Sequence, residues 1–245
     1  MVDPGHHFLD NFYRRRRSFN DVDGIATTHF HDDHFADFPS LLALIHQCSR
    51  NETMRLRQFD LFLDKETDRS FREFYRRSTN FRYRDVLSHG RRTGAAAREI
   101  AEGIFLEALP AKHPSNVKGS CIGLLITLER RETQIFVTGD TGWDASLAEA
   151  YVKKKRAKRC ILVAHVSSTY PAEMRSAMAG KPEFYSKHLC IHGLAKMIEC
   201  LNPHTVILSE IGEELAPVIQ DLAKLVENRY GTRCVVGFDG AIEWV

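Results

Sequence analysis

The chain has 245 residues, 43% hydrophobic and 27% charged, with a formal net charge of +2. That length can bury a sizeable core, and the composition is that of a globular protein rather than a disordered or fibrous one. No apolar run approaches the roughly 20 residues of a membrane span, and the start, "MVDPGHHFLDNFYRRRR", has no apolar stretch like that of a secretory signal.

Taken in chain order, "FADFPSLLALIHQCSR" carries Leu41, Leu42, Leu44 and Ile45 at helical spacing. "QFDLFLD" predicts a short strand and "KETDRSFREFYRRS" a helix. The polar, glycine-bearing "NFRYRDVLSHGRRTGAAAR" has no clear periodicity, and 50–98 is expected to be an insert that shapes a substrate pocket. "GIFLEALPAKH" and "CIGLLITLE" are strand-like, and "RRET" before "QIFVTGD" has the length of a hairpin connection. "WDASLAEAYVKKK" predicts a helix with Asp144 in its first turn, and "RCILVAHVSST" a buried strand leading into a polar loop. "HGLAKMIECL" predicts a helix with Leu194, Met197, Ile198 and Leu201 on one stripe, "HTVILSE" a strand, and "EELAPVIQDLAKLVENRYG" a helix closed by Gly231. "RCVVGFDGAIEWV" predicts two strands around Asp239-Gly240. Strands alternating with helices argue α/β layers in a single domain, 1–245.

The six cysteines are scattered with no CxxC pair, which predicts free thiols in a reducing, cytoplasmic compartment. Two local runs are strongly basic, Arg14 to Arg17 and Lys153 to Arg159. Each is either a solvated face or a contact for a phosphate-bearing substrate.

"TTHFHDDHFAD" is the densest stretch, with three histidines and two aspartates in the six positions from His29 to His34, behind the apolar run "GIATT". His29 and His31 lie two apart and can point to one side of an extended or tightly turning segment. Asp33 and His34 are adjacent and would face different ways, so one segment can serve two neighbouring metal ions. Imidazole and carboxylate together suit zinc, and also iron or manganese. Other predicted strands end in ionisable residues too: His113, Asp140, His165 and Glu210. Ligands and catalysts of α/β folds gather at strand ends, where the scaffold holds position and loops leave room.

His29, His31, Asp33 and His34 fit the HxHxDH signature, and the sequence resembles the metallo-β-lactamase superfamily. "DPG" at Asp3 to Gly5 resembles that family's IDxG element, His113 in "LPAKHP" its next metal histidine, and Asp140 in "VTGDTGW" its bridging aspartate. The TGDT context is most similar to the ribonuclease Z-like phosphodiesterases. The resemblance implies an αββα sandwich with two divalent metal ions, zinc first and manganese or iron as alternatives. His29, His31 and His113 would hold one ion, Asp33 and His34 the other, with Asp140 bridging. Glu210, in "VILSEIGEE", stands where a final histidine is expected, and is either a carboxylate ligand or a structural acid. His188, in "SKHLCIHG", resembles the histidine that acts on the leaving group or the phosphoryl oxygen. His192 is the alternative, able to share a helical face with it. His165 stands at a position that acts directly or supports a ligand. Family members have strands before the IDxG element, so a shortened first sheet is expected here, with an exposed edge that a homodimer would cover.

The chemistry implied is hydrolysis by a metal-bridging hydroxide, with Asp33 orienting it and His188 and His165 assisting. A nucleotide-sized phosphodiester or a nucleic-acid end is the expected substrate, and no membrane partner is expected. The alternatives are hydrolysis of a lactone, thioester or amide, and a metal-bound but inactive binding protein.

Overall fold

The computed structural model describes residues 1–50, 59–76, 81–86, 97–180 and 183–237. The chain divides into two compact units, Met1–Ser88 with Ser115–Ser120, and His89–Pro114 with Cys121–Val245. No helix among the described residues is long and apolar enough to cross a membrane.

The first unit contains α1 (Phe8–Arg14), β1 (Gly24–Ala26), α2 (Asp32–Phe35), α3 (Phe38–Arg50), β2 (Phe59–Leu63), α4 (Lys65–Arg76) and β3 (Phe81–Val86). Its sheet runs β1-β2-β3, all parallel. β2 is central and buried along its whole length, Asp60 included, as befits a strand covered on both faces. Leu41, Leu42 and Ile45 of α3 are fully buried with Ile25, Phe38 and Leu61 in one core. This confirms the helical spacing read from the sequence. The carboxylate of Asp64 opens α4 and accepts from the Glu66 N–H (2.9 Å), the Thr27 hydroxyl (2.9 Å) and the Ser120 hydroxyl (2.6 Å). It thereby ties the end of β1 and the 115–120 segment to the helix start.

Two elements of this unit were not foreseen. α1 forms within the basic N-terminal stretch, where Phe8 and Phe12 pack toward the core. β3 forms within "NFRYRDV", where Arg82, Arg84 and Asp85 leave the alternation of Phe81 and Tyr83 too short to stand out. Of the stretch 50–98, the described parts thus include the central strand of this sheet, its neighbour and a helix, while 51–58, 77–80 and 87–96 lie outside the described residues.

The second unit contains β4 (Arg98–Ala101), β5 (Ile104–Pro110), β6 (Ile122–Leu128), β7 (Thr133–Val137), α5 (Ala145–Lys154), β8 (Arg159–Ser168), α6 (Pro171–Met178), β9 (Leu189–Cys190), α7 (Ile191–Leu201), β10 (Thr205–Ser209), α8 (Ile219–Tyr230) and β11 (Arg233–Val236). Its sheet runs β11-β10-β8-β7-β6-β5-β4, with β9 paired to β8. The β7–β8, β8–β10 and β10–β11 pairs are parallel, and those from β7 to β4 antiparallel. Residues 129–132 join β6 to β7 as the predicted hairpin, with Glu132 in the left-handed region at φ 47°. Asp144 caps α5 by accepting from the Ser146 N–H, and Gly231 closes α8 at φ 63°.

The stripe Leu194, Met197, Ile198 and Leu201 of α7 packs into a core shared with β8, β10 and α8. α6 forms where the sequence predicts a polar loop, although Pro171 at its first position is a helix-start signal. The second strand predicted around Asp239-Gly240 lies outside the described residues.

Candidate metal centre

In the first unit the DPG element explains itself residue by residue. Asp3 sits in the left-handed region at φ 46°, which aspartate tolerates better than most side chains. Its carboxylate accepts from the Thr28 N–H (2.6 Å), the Thr28 hydroxyl (2.7 Å) and His34 Nδ1 (3.1 Å). Gly5 runs so close to the histidine-rich turn that an added Cβ would lie 1.7 Å from the Asp33 carbonyl oxygen. Only glycine permits that approach.

The turn itself begins just after β1. His31 is the N-cap of α2, and Asp33 and His34 lie in that single helical turn. His29 Nε2 and His31 Nδ1 are 3.1 Å apart, so the two imidazoles do point to one side. Asp33 and His34 differ sharply in exposure, 62% against 0%, yet Asp33 Oδ2 and His34 Nε2 lie 3.7 Å apart. A helical step turns about 100° rather than the 180° of an extended chain, which brings them closer than the sequence reading allowed. Since Asp3 engages Nδ1 of His34, the buried Nε2 is turned toward the Asp33 carboxylate.

In the second unit, strand ends converge on one carboxylate. Asp140 follows β7, is 5% exposed, and is approached by three imidazoles. His113 Nε2 lies 3.9 Å from Oδ2, His165 Nδ1 3.5 Å from Oδ1, and His188 Nδ1 3.3 Å from Oδ2. His113 Nδ1 is 2.6 Å from the Lys187 carbonyl oxygen. A carbonyl can only accept, so Nδ1 carries the hydrogen and Nε2 presents its lone pair. Ser209, the last residue of β10, pairs in register with His165, and Glu210 follows it, exposed, at φ 46°.

His188 and His192 do not share a helical face, because β9 separates His188 from α7. His192 is in the first turn of α7, among Leu222, Leu225 and Arg229 in a groove against α8. His188 alone of the two meets Asp140.

These donor sets suit a divalent metal. Ligands at about 2.1 Å from a tetrahedral ion are about 3.4 Å from one another. Among the expected ligands, His29 Nε2 to His31 Nδ1 at 3.1 Å and His113 Nε2 to Asp140 Oδ2 at 3.9 Å lie on either side of that value.

The sequence signalled every one of these histidines and carboxylates. It did not signal Glu173 in α6, which is 1% exposed and binds the backbone beside His188. A lone glutamate in a polar stretch carries no pattern.

A family model described as "Beta-lactamase superfamily domain" matches residues 1–210. No curated protein matches in sequence. Among solved structures, the metallo-β-lactamase-fold protein YhfI from Bacillus subtilis superimposes with a TM-score of 0.71 at 14% identity, covering 98% of this chain and 84% of that one. Human tRNase Z, short form, gives 0.64 at 13% identity, covering 98% and 85%. A diphosphatase from the PhnP family gives 0.61 at 14% identity, covering 100% and 79%. Such likeness establishes the fold, a mixed α/β architecture of the metallo-β-lactamase kind. With the family match spanning most of its length, the chain belongs to the beta-lactamase superfamily domain family, a family of metal-dependent hydrolases.

Proposed function

We propose that this protein is a metal-dependent phosphodiesterase, acting on a nucleotide-sized phosphodiester or a nucleic-acid end. The observation that carries the reading is the convergence of His113, His165 and His188 on Asp140. It places a histidine capable of proton transfer beside a predicted metal ligand. The TGDT context of Asp140 and the names of two similar proteins, a tRNase and a diphosphatase, support phosphate-ester chemistry.

The proposed ligands of two divalent ions are His29, His31, Asp33, His34, His113, Asp140 and Glu210, with zinc preferred over manganese or iron. Bound there, such ions supply positive charge for phosphoryl oxygens and acidify a coordinated water toward neutral pH. The exposed carboxylate of Asp33 accepts a hydrogen bond from the attacking water and aims it. The water oxygen would bond to phosphorus, its proton passing to the Asp33 carboxylate, as the ester P–O bond breaks and His188 gives a proton to the departing oxygen. His165, whose backbone N–H is held by the Thr138 hydroxyl at 3.1 Å, keeps its ring beside Asp140 Oδ1. A reducing, cytoplasmic setting belongs to the same proposal, and five free cysteines among the described residues support it.

The test is metal content per chain by elemental analysis, with turnover of bis(p-nitrophenyl) phosphate measured beside an aryl ester and a lactone. Two ions in wild type, about one in Glu210→Ala, and phosphodiester turnover abolished by His29→Ala or Asp140→Ala are expected. Turnover of the ester or lactone alone would overturn the substrate class. No turnover with any added divalent metal would leave a metal-bound, inactive protein.

A further inference from the structure

α7 begins without a cap of its own: its N-cap residue, Cys190, makes no side-chain hydrogen bond to the first turn. The first N–H groups of a helix need an acceptor, and here one comes from another helix. Glu173 of α6 accepts from the N–H of Gly193, the third residue of α7, at 2.9 Å through Oε1. Through Oε2 it accepts from the Tyr185 N–H at 3.1 Å. The carboxylate is buried, and its position at a helix N-terminus is favourable for negative charge.

The segment so held leads directly to the candidate centre. The Ser176 hydroxyl accepts from the Glu183 N–H at 2.8 Å, a second tether from α6 to the same segment. The Tyr185 ring stacks on His188 with centroids 5.9 Å apart, and on Tyr170 at 4.4 Å. The Lys187 carbonyl receives His113 Nδ1, and His188 Nδ1 faces Asp140. On the other side Gly142, two residues beyond Asp140, packs so tightly that a Cβ there would lie 2.5 Å from the Tyr185 carbonyl oxygen. Residues 185–188 are thus clamped between the Asp140 loop and α6, and on the α6 side the Glu173 carboxylate is the group that reaches both Tyr185 and the start of α7.

We propose that Glu173 is a positioning residue which, by holding the 185–188 segment and the start of α7 together, orients both His188 and His113. This rests on the proposed role of His188 toward the leaving group, while its effect on His113 does not depend on the substrate. Glutamine at this position keeps the shape but offers one acceptor and one donor where two acceptors are needed. One of the two N–H groups then faces an NH2 group, and the segment loosens.

The experiment compares wild type, Glu173→Gln, His188→Ala and the double variant, each checked for folding by circular dichroism and melting. At saturating zinc, kcat is measured on a phosphodiester with a p-nitrophenolate leaving group and on one with an alkoxide leaving group. The first leaving group departs without a proton and the second needs one. Zinc affinity is measured separately by chelator competition, and the His113 ring nitrogens are followed by 15N NMR in the metal-free protein.

We expect Glu173→Gln to lower alkoxide-ester turnover about tenfold or more while leaving the aryl ester within about twofold. The double variant should fall no further than His188→Ala. Zinc affinity should drop about tenfold, with loss of the Nδ1–H form of His113. Equal losses on both esters, or unchanged zinc affinity and an unchanged His113 spectrum, would overturn the proposal. If wild type cleaves neither ester, the phosphodiesterase reading fails by itself, and zinc affinity with the His113 spectrum still decides the role of Glu173. Should the glutamine variant not fold, Glu173→Asp, which keeps the charge but reaches only one N–H, must show the same changes in smaller degree.

Discussion

Replacing Asp3 by alanine removes one carboxylate that accepts three hydrogen bonds beside a candidate metal ligand. The donors are the Thr28 N–H, the Thr28 hydroxyl and His34 Nδ1, and both Thr28 and His34 are fully buried. The hydroxyl has an alternative, since His29 Nδ1 lies 3.1 Å from it. His34 has one only if its hydrogen moves to Nε2 and the ring shifts toward Asp33 Oδ2, which at 3.7 Å is beyond hydrogen-bond range in the native arrangement. The Thr28 N–H has none within that network. One buried N–H without an acceptor costs about 1–3 kcal/mol, and the two rearrangements add to it, so we expect a loss of about 3 kcal/mol.

The tautomer change has a separate consequence. A hydrogen on Nε2 occupies the lone pair that would bind metal, and metal affinity should fall about 10- to 100-fold. Urea unfolding of chelator-treated protein reads the first effect as a midpoint lower by about 1 M, and chelator competition reads the second. Asp3→Asn, which keeps one acceptor oxygen, should lose about 1 kcal/mol. A change under about 0.5 kcal/mol in Asp3→Ala, with metal affinity intact, would refute the reasoning.

The Tyr151 hydroxyl is buried without a hydrogen-bond partner among the described residues, so Tyr151→Phe should raise stability by about 1 kcal/mol, and a loss in urea unfolding would show a missed partner. The Ser146 hydroxyl, with the Ser146 N–H and Lys112, holds the Asp144 carboxyl at about 2, below its ordinary 3.8. Because the folded-state value is the lower one, the charged cap contributes fully above about pH 4 and is lost as pH falls toward 2. The stability gap between wild type and Asp144→Asn should therefore close over that interval, and a gap independent of pH would exclude the charge as its source. Burial pushes the thiols of Cys160 and Cys234 up to about 11 and about 12, whereas Cys200 is exposed. A maleimide at neutral pH should label Cys200 in minutes and leave the other two until the protein unfolds; rapid native labelling of either would contradict the packing.

Much of the candidate centre was legible because its chemistry is local or recurs at strand ends. His29, His31, Asp33 and His34 fall within six positions, and no fold is needed to see that they crowd. Apolar runs such as "CILVA" and "TVILS" end at ionisable residues, and the parallel pairing of β8 with β10 does bring His165 and Ser209 into register at one end of the sheet. The helical stripes of α3 and α7 were equally plain, since burial on one face writes a period of 3.6 residues into the side chains.

What the tertiary structure alone decided depends on the backbone and on distance along the chain. The sequence favours His188 but leaves His192 as an alternative on one helical face, and the short strand β9 sends the first to Asp140 and the second into the α7–α8 groove. β3 and α6 were hidden because their side-chain patterns are weak and their neighbours supply the stability. Glu173 was invisible for a further reason. Its partners are the main-chain N–H groups of Tyr185 and Gly193, which every non-proline residue possesses. Side-chain identity can announce a ligand, but which N–H a buried carboxylate will meet is decided only once the helices have packed.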